Sequence, residues 1–402
     1  MSKIDDMIKK LCPDGVEFVK LGDCLDYEQP TKYIVKCKDY IESGLPVLTA
    51  GQTFILGYTN ETDGIFSASK ENPVIIFDDF TTSFHWVDFD FKIKSSAMKM
   101  LRPRADANIS FRFVYYAMKC IKYQTLEHSR QWISKYSQIE IPLPPLEIQN
   151  EIVRILDKFT QLEAELEAEL DCRKRQYKFY RDQLLSFDKN TPPERNNVVW
   201  KKLSEGILSI NTGLNPRRFF RLNTPDAHNY YVTIKEMQNG CIVFNENTDK
   251  INDEAMNLCN KRSKLEAGDL LFSGTGTIGQ IVVLQNTPTN WNIKEGVYAI
   301  KPKQEIVLSK FLAYLLSETS VRNTYLKKAM GGTVKSVPMK ILLAIEIPIP
   351  PLTEQNRIVA ILDHFEALTT SLQNGLPAEI AARRQQYEYY RDKLLNFKRK
   401  IA

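Results

Sequence analysis

The chain has 402 residues, 43% of them apolar, enough to bury more than one core, so two or three domains are expected. A formal net charge of +5 excludes a histone-like polycation. The basic excess sits mainly in residues 188–350, where 21 Lys and Arg stand against 15 Asp and Glu, which fits an anionic partner there without requiring one. Seven cysteines with no C-x-x-C spacing point to reduced thiols. With no leader-like segment and no long apolar run, a soluble cytoplasmic chain without a membrane partner is expected.

In chain order, a short helical pattern, MIKKLCPDGV, ends at the Pro13-Asp14-Gly15 turn, and V-E-F-V-K-L-G-D (Val16 to Asp23) opens a globular segment. Strand-like runs follow at Leu45–Thr49, Val74–Phe77 and Ala97–Leu101, and helical spacing at Phe111–Tyr123. Pro142, Pro144 and Pro145 then stop an extended run, because proline continues neither a ladder nor a helix. Beyond them apolar residues recur every three or four positions at Ile148, Ile152, Ile155, Phe159, Leu162, Leu166, Leu170, Tyr177, Tyr180, Leu184 and Phe187. That is one helical stripe with near-heptad spacing, on a rod of about 60 Å that must bury it.

A polar linker, DKNTPPERNN (188–197), leads to a second globular segment opened by N-V-V-W-K-K-L-S (Asn197 to Ser204). Its strands are expected at Tyr230–Ile234, Asp269–Phe272, Gln280–Leu284 and Val297–Lys301, and its helix at Ser309–Leu326, before a Gly331-Gly332 loop. A second proline stop and rod follow.

The two rods are copies. Ile139–Phe187 and Ile345–Phe397 both begin I-E-I-P-[LI]-P-P-L, pass through I-V-x-I-L-D-x-F and close on Q-Y-x-[FY]-Y-R-D-x-L-L-x-F. Since the second rod starts where the second globular segment ends, it is expected to run back along the first. The fold class is therefore α+β: two mixed α/β domains separated by two long antiparallel coiled-coil helices, with a pseudo-twofold internal repeat. The boundaries read from the pattern are 1–145, 146–187, 188–345 and 346–402. The rods differ at Leu162–Leu170, a tandem L-E-A-E, and at Asn374-Gly375-Leu376-Pro377, where a helix break is expected. Each L-E-A-E adds about 6 Å and about 40° of rotation, close to the turn of one base pair in angle though not in length. It is either a re-phasing element or a repeat expansion on a solvated helix face.

Three motifs bear on chemistry. Gly274–Gly279 matches G-x-G-x-x-G but precedes the strand-like Q-I-V-V-L instead of a helix, so a glycine-rich loop between strands is expected and not a dinucleotide site. Asp78 or Asp79, with Asp90 and Lys92, mimics the D…D-x-K set of Mg-dependent nucleases, although charges alternating along a strand commonly mark a solvated face. The histidines, His85, His128, His228 and His364, show no metal spacing, and no metal site or catalytic residue is expected.

Both globular segments carry three polar or glycine-bearing loops in the same order. The first pair contains Gln29, Thr31 and Lys32 in one half and Thr212, Asn215, Arg217 and Arg218 in the other. The second contains Asp79, Thr81 and Thr82, and Ser273, Thr275 and Thr277. The third contains Arg130 and Gln131, and Thr333 and Lys335. These are residue types that meet base edges and phosphates, and their triple occurrence in two domains suggests contact with double-stranded DNA.

The doubled frame, with loop runs such as V-I-I-F-D-D-F-T-T-S-F and G-D-L-L-F-S-G-T-G-T-I-G, resembles the specificity (S) subunit of Type I restriction–modification systems over essentially the whole chain. The resemblance implies target-recognition domains at 1–145 and 188–345 and conserved spacer helices at 146–187 and 346–402. It implies a DNA sequence-recognition subunit that is itself non-catalytic and binds a bipartite target. It further implies two modification (methyltransferase) subunits docked on the rods, with Arg175, Tyr180, Arg384 and Tyr390 as candidate docking residues, and restriction (translocase/nuclease) subunits beyond them. S-adenosylmethionine, ATP and Mg are then expected on the partners and no cofactor on this chain. Two rival readings are a stand-alone Mg-dependent DNA nuclease using Asp79, Asp90 and Lys92, and a non-catalytic protein-binding scaffold.

Overall fold

The computed structural model describes residues 2–51, 53–125, 129–189, 197–370 and 375–400. His128, most of the expected linker (190–196) and Asn374 of the expected helix break lie outside the described residues. The chain forms two compact units, Met1–Glu165 with Ile380–Ala402, and Leu166–Glu379.

In the first unit the segment after the initial helix α1 (Ser2–Leu11) forms β1 (Glu17–Lys20), which pairs antiparallel with the strand of the proline stop, so that Phe18 stands opposite Pro142. A two-stranded ribbon tolerates that proline because each strand keeps a free edge. The central sheet is antiparallel and four-stranded, in the order β2 (Leu25–Glu28), β8 (Met98–Pro103), β5 (Val74–Asp78), β6 (Phe84–Val87). A smaller sheet packs β3 (Leu45–Leu48) antiparallel to β4 (Ile55–Thr59) and parallel to β7 (Lys92–Ile93). The continuous apolar run V-I-I-F in β5 reflects burial on both faces. Ile75, Phe77 and Leu101 enter the core beneath the helix α2 (Phe111–Lys119), while Val74, Ile76 and Met100 pack toward the second sheet. Period-two alternation sends neighbouring side chains to opposite layers, which is why the run from Val74 to Phe77 shows no polar position.

The proline-stop strand is β9 (Glu140–Leu143), and the rod that follows is a single 39-residue helix, α3 (Leu146–Leu184). Ile148, Ile152 and Leu156 are fully buried in the first core, beside Leu394, which ends the helix Leu376–Leu394, and Leu395 just after it. Farther along, the expected buried stripe opens: Leu162 is 46% exposed and Tyr180 40%. The stripe is deep only where a domain core receives it.

The second unit repeats the plan. β10 (Val199–Lys202) pairs antiparallel with β20 (Glu346–Ile349), placing Trp200 opposite Pro348. Its central sheet runs β11 (Ile207–Thr212), β19 (Val297–Pro302), β16 (Leu270–Ser273), β17 (Ile281–Val283). Its smaller sheet has β12 (Asn229–Val232) antiparallel to β15 (Lys250–Ile251) and parallel to β18 (Trp291–Ile293). A hairpin of β13 (Met237–Gln238) with β14 (Cys241–Ile242) and a helix, α4 (Asp253–Arg262), complete it.

The helix expected at Ser309–Leu326 is two, α5 (Ser309–Ser317) and α6 (Thr319–Leu326). Glu318 between them has extended backbone, and its carboxylate accepts from Ser320 N and Val321 N at 2.8 Å each, capping the new helix. The second rod is described as α7 (Leu352–Thr370) and α8 (Leu376–Leu394), with Pro377 in the first turn of α8.

Candidate nucleic-acid interface

The register of the central sheets makes the two units comparable position by position. Phe77 of β5 stands opposite Lys99, and Phe272 of β16 opposite Tyr298. Asp79 N donates to Ala97 O and Gly274 N to Gly296 O, both at 2.8 Å. Gln131 N donates to Asp79 O and Val337 N to Gly274 O, again at 2.8 Å. Asp79 and Gly274 are thus equivalent, as are Gln131 and Val337, and the loops after β5 and β16 are each stitched to the loop that precedes the proline stop.

In the first unit the three expected loops converge on one buried ammonium. Lys99, fully buried, donates to Gln29 Oε1 at 3.0 Å and lies 3.5 Å from Asp79 Oδ2. The other oxygen of Asp79 accepts from Trp132 N at 2.8 Å and Gln131 N at 3.2 Å. Gln131 in turn donates from Nε2 to Ser129 O at 2.7 Å and accepts from the Tyr123 hydroxyl at 2.8 Å. In the second unit the same junction is built differently. Thr212 Oγ1 accepts from Gly296 N at 3.1 Å, Gly276 N donates to Lys335 O at 2.9 Å, and the Tyr298 hydroxyl donates to Val337 O at 2.8 Å. Gly274 is required there, since a Cβ on it would stand 2.3 Å from the Tyr298 ring.

This geometry sorts the residues expected to meet DNA. Asp79, Gln131 and Ser273 are buried and bonded to the loops they carry. Ser273 donates to Thr277 O at 2.6 Å and accepts from Gln280 N at 2.7 Å, closing the glycine-rich loop between β16 and β17. Thr212 and Asn215 are partly buried supports as well, Asn215 accepting from Arg217 N at 3.1 Å and donating to Glu295 at 2.7 Å. Thr275, partly buried, pairs through its backbone with Ser336. Gln29 is exposed but engaged by Lys99. Thr82 holds a left-handed backbone at φ 59°, in a turn that the Asp78 carboxylate fixes by accepting from Phe80 N and Thr81 N at 2.9 Å each. Presented to solvent on these supports are Thr31, Lys32, Thr81, Arg130, Arg217, Arg218, Thr277, Thr333 and Lys335. Lys32 pairs with Glu28 at 2.8 Å, an exposed contact that an anion can displace.

A second set of residues, which the loops gave no reason to single out, joins each domain to its rod. Gln149 accepts from Ser110 N at 2.9 Å and donates to Pro144 O at 2.8 Å. Gln355, 206 positions later, accepts from Leu308 N at 2.9 Å and donates to Pro350 O at 2.8 Å and Ile306 O at 2.9 Å. Arg112 pairs with Asp157 at 2.8 Å and Lys310 with Asp363 at 2.7 Å. Tyr116 donates to Asp157, and Tyr314 to Asp363 at 2.6 Å. Burial first, and then these carboxylates, push both phenols well above the ordinary tyrosine value. Asp157 and Asp363 are the Asp of I-L-D in the repeat, and the doubled motif was itself the signal that could have found them.

Of the docking candidates, Tyr390 stacks on Phe159 at 5.4 Å and Tyr180 on Phe365 at 5.5 Å. Arg384 pairs with Glu163, and Arg175 with Asp171 at 3.0 Å. Tyr177 and Tyr387 pack inward, burial pushing each up to about 12. Pointing outward instead are the adjacent Phe179, 62% exposed, and Tyr389, 61% exposed, one from each copy of the repeat.

The nuclease set does not assemble. Lys92 is buried and pairs with Glu61 at 2.9 Å, Asp90 accepts from Ser67 Oγ at 3.0 Å and Ala68 N at 3.1 Å, and Asp79 is committed to Lys99 and the third loop. Two carboxylates and a lysine that each serve a different local structure cannot share one metal ion. Among the described residues no group of three or more His, Cys, Asp or Glu could hold a metal, and no helix is long and apolar enough to cross a membrane.

Comparison with known proteins agrees with the duplicated plan. The family model for the type I restriction modification DNA specificity domain matches twice, at residues 13–171 and 201–382. The Escherichia coli type I restriction enzyme EcoR124I/EcoR124II specificity subunit is 43% identical over 410 residues, covering 99% of this chain and 98% of that one. Two solved structures share the fold. One is a chain from a study of complex assembly and conformational transition of the type I restriction–modification system, with TM-score 0.59, 17% identity, and 96% and 98% coverage. The other is the type I system S subunit from M. genitalium, with TM-score 0.53, 14% identity, and 95% and 96% coverage. The chain belongs to the family of type I restriction–modification DNA specificity subunits. Its task is recognition of a DNA target, and neither the stand-alone nuclease nor the protein-binding scaffold describes it.

Proposed function

We propose that each unit reads one half of a bipartite double-stranded DNA target through its own three converging loops, and that the whole chain directs partner subunits to that target. The observation that carries this reading is the recurrence of the same three-loop junction in both units, crowned by exposed Lys32 and Arg130 in one and Arg217, Arg218 and Lys335 in the other. Cationic side chains on rigid loops supply phosphate contacts, and the threonines between them supply hydroxyls for base edges.

The finer organisation belongs to the same proposal. The long helices pair as an antiparallel coiled coil related by a pseudo-twofold axis, a reading supported by the matching Phe159–Tyr390 and Tyr180–Phe365 stacks. The outward Phe179 and Tyr389, with Arg175, Tyr180, Arg384 and Tyr390 around them, offer one docking patch per repeat to two modification subunits. The chain is non-catalytic and works in the cytoplasm. Methyl transfer with S-adenosylmethionine, and ATP- and Mg-dependent cleavage, belong to the modification and restriction partners.

The test is a map of N6-methyladenine across the genome of cells with and without this gene, in a strain that expresses the partner subunits. A split motif that disappears on deletion is expected, and it delivers both half-sites and the gap. Unchanged methylation overturns the proposal.

A further inference from the structure

The junctions beneath the two sets of loops share a position and not a chemistry. On the strand next to β5 or β16, at the residue opposite Phe77 or Phe272, stands a long side chain with a polar tip, Lys99 in one unit and Tyr298 in the other. Neither lies on a loop, and both are buried. Lys99 reaches the first loop through Gln29 and the second through Asp79, and Asp79 carries the tie to the third. Tyr298 reaches the third loop directly through Val337 O, and its ring fills the space that a side chain on Gly274 of the second loop would need. Lys99 thus ties all three loops through an ion pair, and Tyr298 ties the second and third through a ring and a hydroxyl.

Stability alone does not account for the first solution. Enclosing an ammonium and a carboxylate costs several kcal/mol per ion, and an apolar residue of similar size often serves a core as well or better. What an apolar residue cannot do is hold Gln29 and Asp79 at fixed distances from one atom. Loops fixed before binding lose less freedom on meeting DNA, and that advantage goes to the base sequence their geometry suits.

We propose that Lys99 and Tyr298 are positioning residues for base reading, each controlling the selectivity of its own half of the target without touching the DNA. The proposal rests on the bipartite reading above.

The test uses the chain assembled with its modification partners, and competition binding between the cognate duplex and duplexes with one half-site altered. Tyr298→Phe removes a single hydroxyl and keeps the ring. It is expected to lower discrimination at the second half-site about tenfold, the worth of one buried hydrogen bond to loop geometry, with discrimination at the first half-site and non-specific binding unchanged. The pair Lys99→Met with Asp79→Asn removes both charges together and keeps an acceptor for Gln131 N and Trp132 N. It is expected to produce the mirror result at the first half-site. Discrimination that stays intact at both half-sites in variants that melt like the parent overturns the proposal, as does an equal loss at both. A parent complex that binds all these duplexes alike overturns the bipartite reading itself, so the two failures are distinguishable.

Discussion

Where the first unit places Asp79 against a buried lysine, the second places Gly274 beneath a tyrosine ring, yet the backbone hydrogen bonds around the two are the same. At the rod, by contrast, Gln149 and Gln355 share two bonds made with the same side chain, to the backbone N–H before a helix and to a proline carbonyl. The difference follows from what each position must satisfy. A glutamine that serves a backbone N–H and a backbone C=O at once can be replaced by few other residues, because the backbone groups it satisfies never change. A loop junction only has to keep three segments together, and charge, ring packing or a hydroxyl can each achieve that. Variation is therefore admitted at the loops and resisted at the frame.

Breaking the frame produces the largest effect. Gln355→Leu leaves Leu308 N, Ile306 O and Pro350 O without their partner at a buried site, and about 4 kcal/mol of stability is expected to be lost from the second unit. Gln149→Leu strands two groups instead of three, and the first unit should lose about 3 kcal/mol. Urea unfolding of the two variants reads the difference, and equal near-zero losses would deny the frame its role.

Next in size are the loop cations. Replacing Arg217 and Arg218 by Ala is expected to weaken DNA binding by the assembled complex at least tenfold and to flatten the slope of log affinity against log salt by about 1–2. Arg130→Ala in the other unit should change the slope by about 1. Slopes that do not move would place the phosphate contacts elsewhere.

At the outer face of the rods, Phe179→Ser and Tyr389→Ser should each reduce association with the modification partner about tenfold while leaving the melting of the isolated chain untouched, since both rings are mostly in solvent. Sedimentation of mixed subunits measures this.

A further effect is acid-dependent and belongs to the first unit. Glu61 accepts from Cys37 N at 2.9 Å and Lys36 N at 2.8 Å and pairs with Lys92, and the Cys37 bond first, then Lys92, hold its carboxyl down at about 2 against an ordinary 4.5. A carboxyl whose folded value is depressed stabilises fully above its unfolded value and loses that contribution as pH falls toward the folded one. The urea midpoint of the first unit should therefore fall between pH 4.5 and about 2, and Glu61→Gln should flatten that part of the curve.

Much of this architecture was legible because it was written twice. The strands at Val74–Asp78, Leu270–Ser273 and Val297–Pro302 show as apolar runs, and the proline stops announce where each rod begins. The break at Glu318 was hidden, because S-E-T-S-V carries no glycine or proline and the helix ends on a carboxylate cap instead. Among site residues, Lys32, Arg130, Arg217, Arg218 and Lys335 stand exposed on the loops where cations were expected. Asp79, Gln131 and Ser273 lie on the same loops but are buried, which their polarity alone does not reveal. Lys99 and Tyr298 could not be singled out at all. A lysine and a tyrosine within apolar strands share no motif, and their equivalence exists only in the pairing register.

One consequence concerns the order in which the protein is made. The first unit takes Leu394 and Leu395 into its core, and Val16 bridges to Arg399 at its edge. On the ribosome, the first unit must therefore wait until Leu394 and Leu395 have been made before its core can close, while the second unit, Leu166–Glu379, has all of its residues available sooner. Of the two units, the one begun first is completed second. In the interval its unsealed apolar face, Ile148, Ile152 and Leu156 included, is the part of the nascent chain that chaperones have most reason to hold.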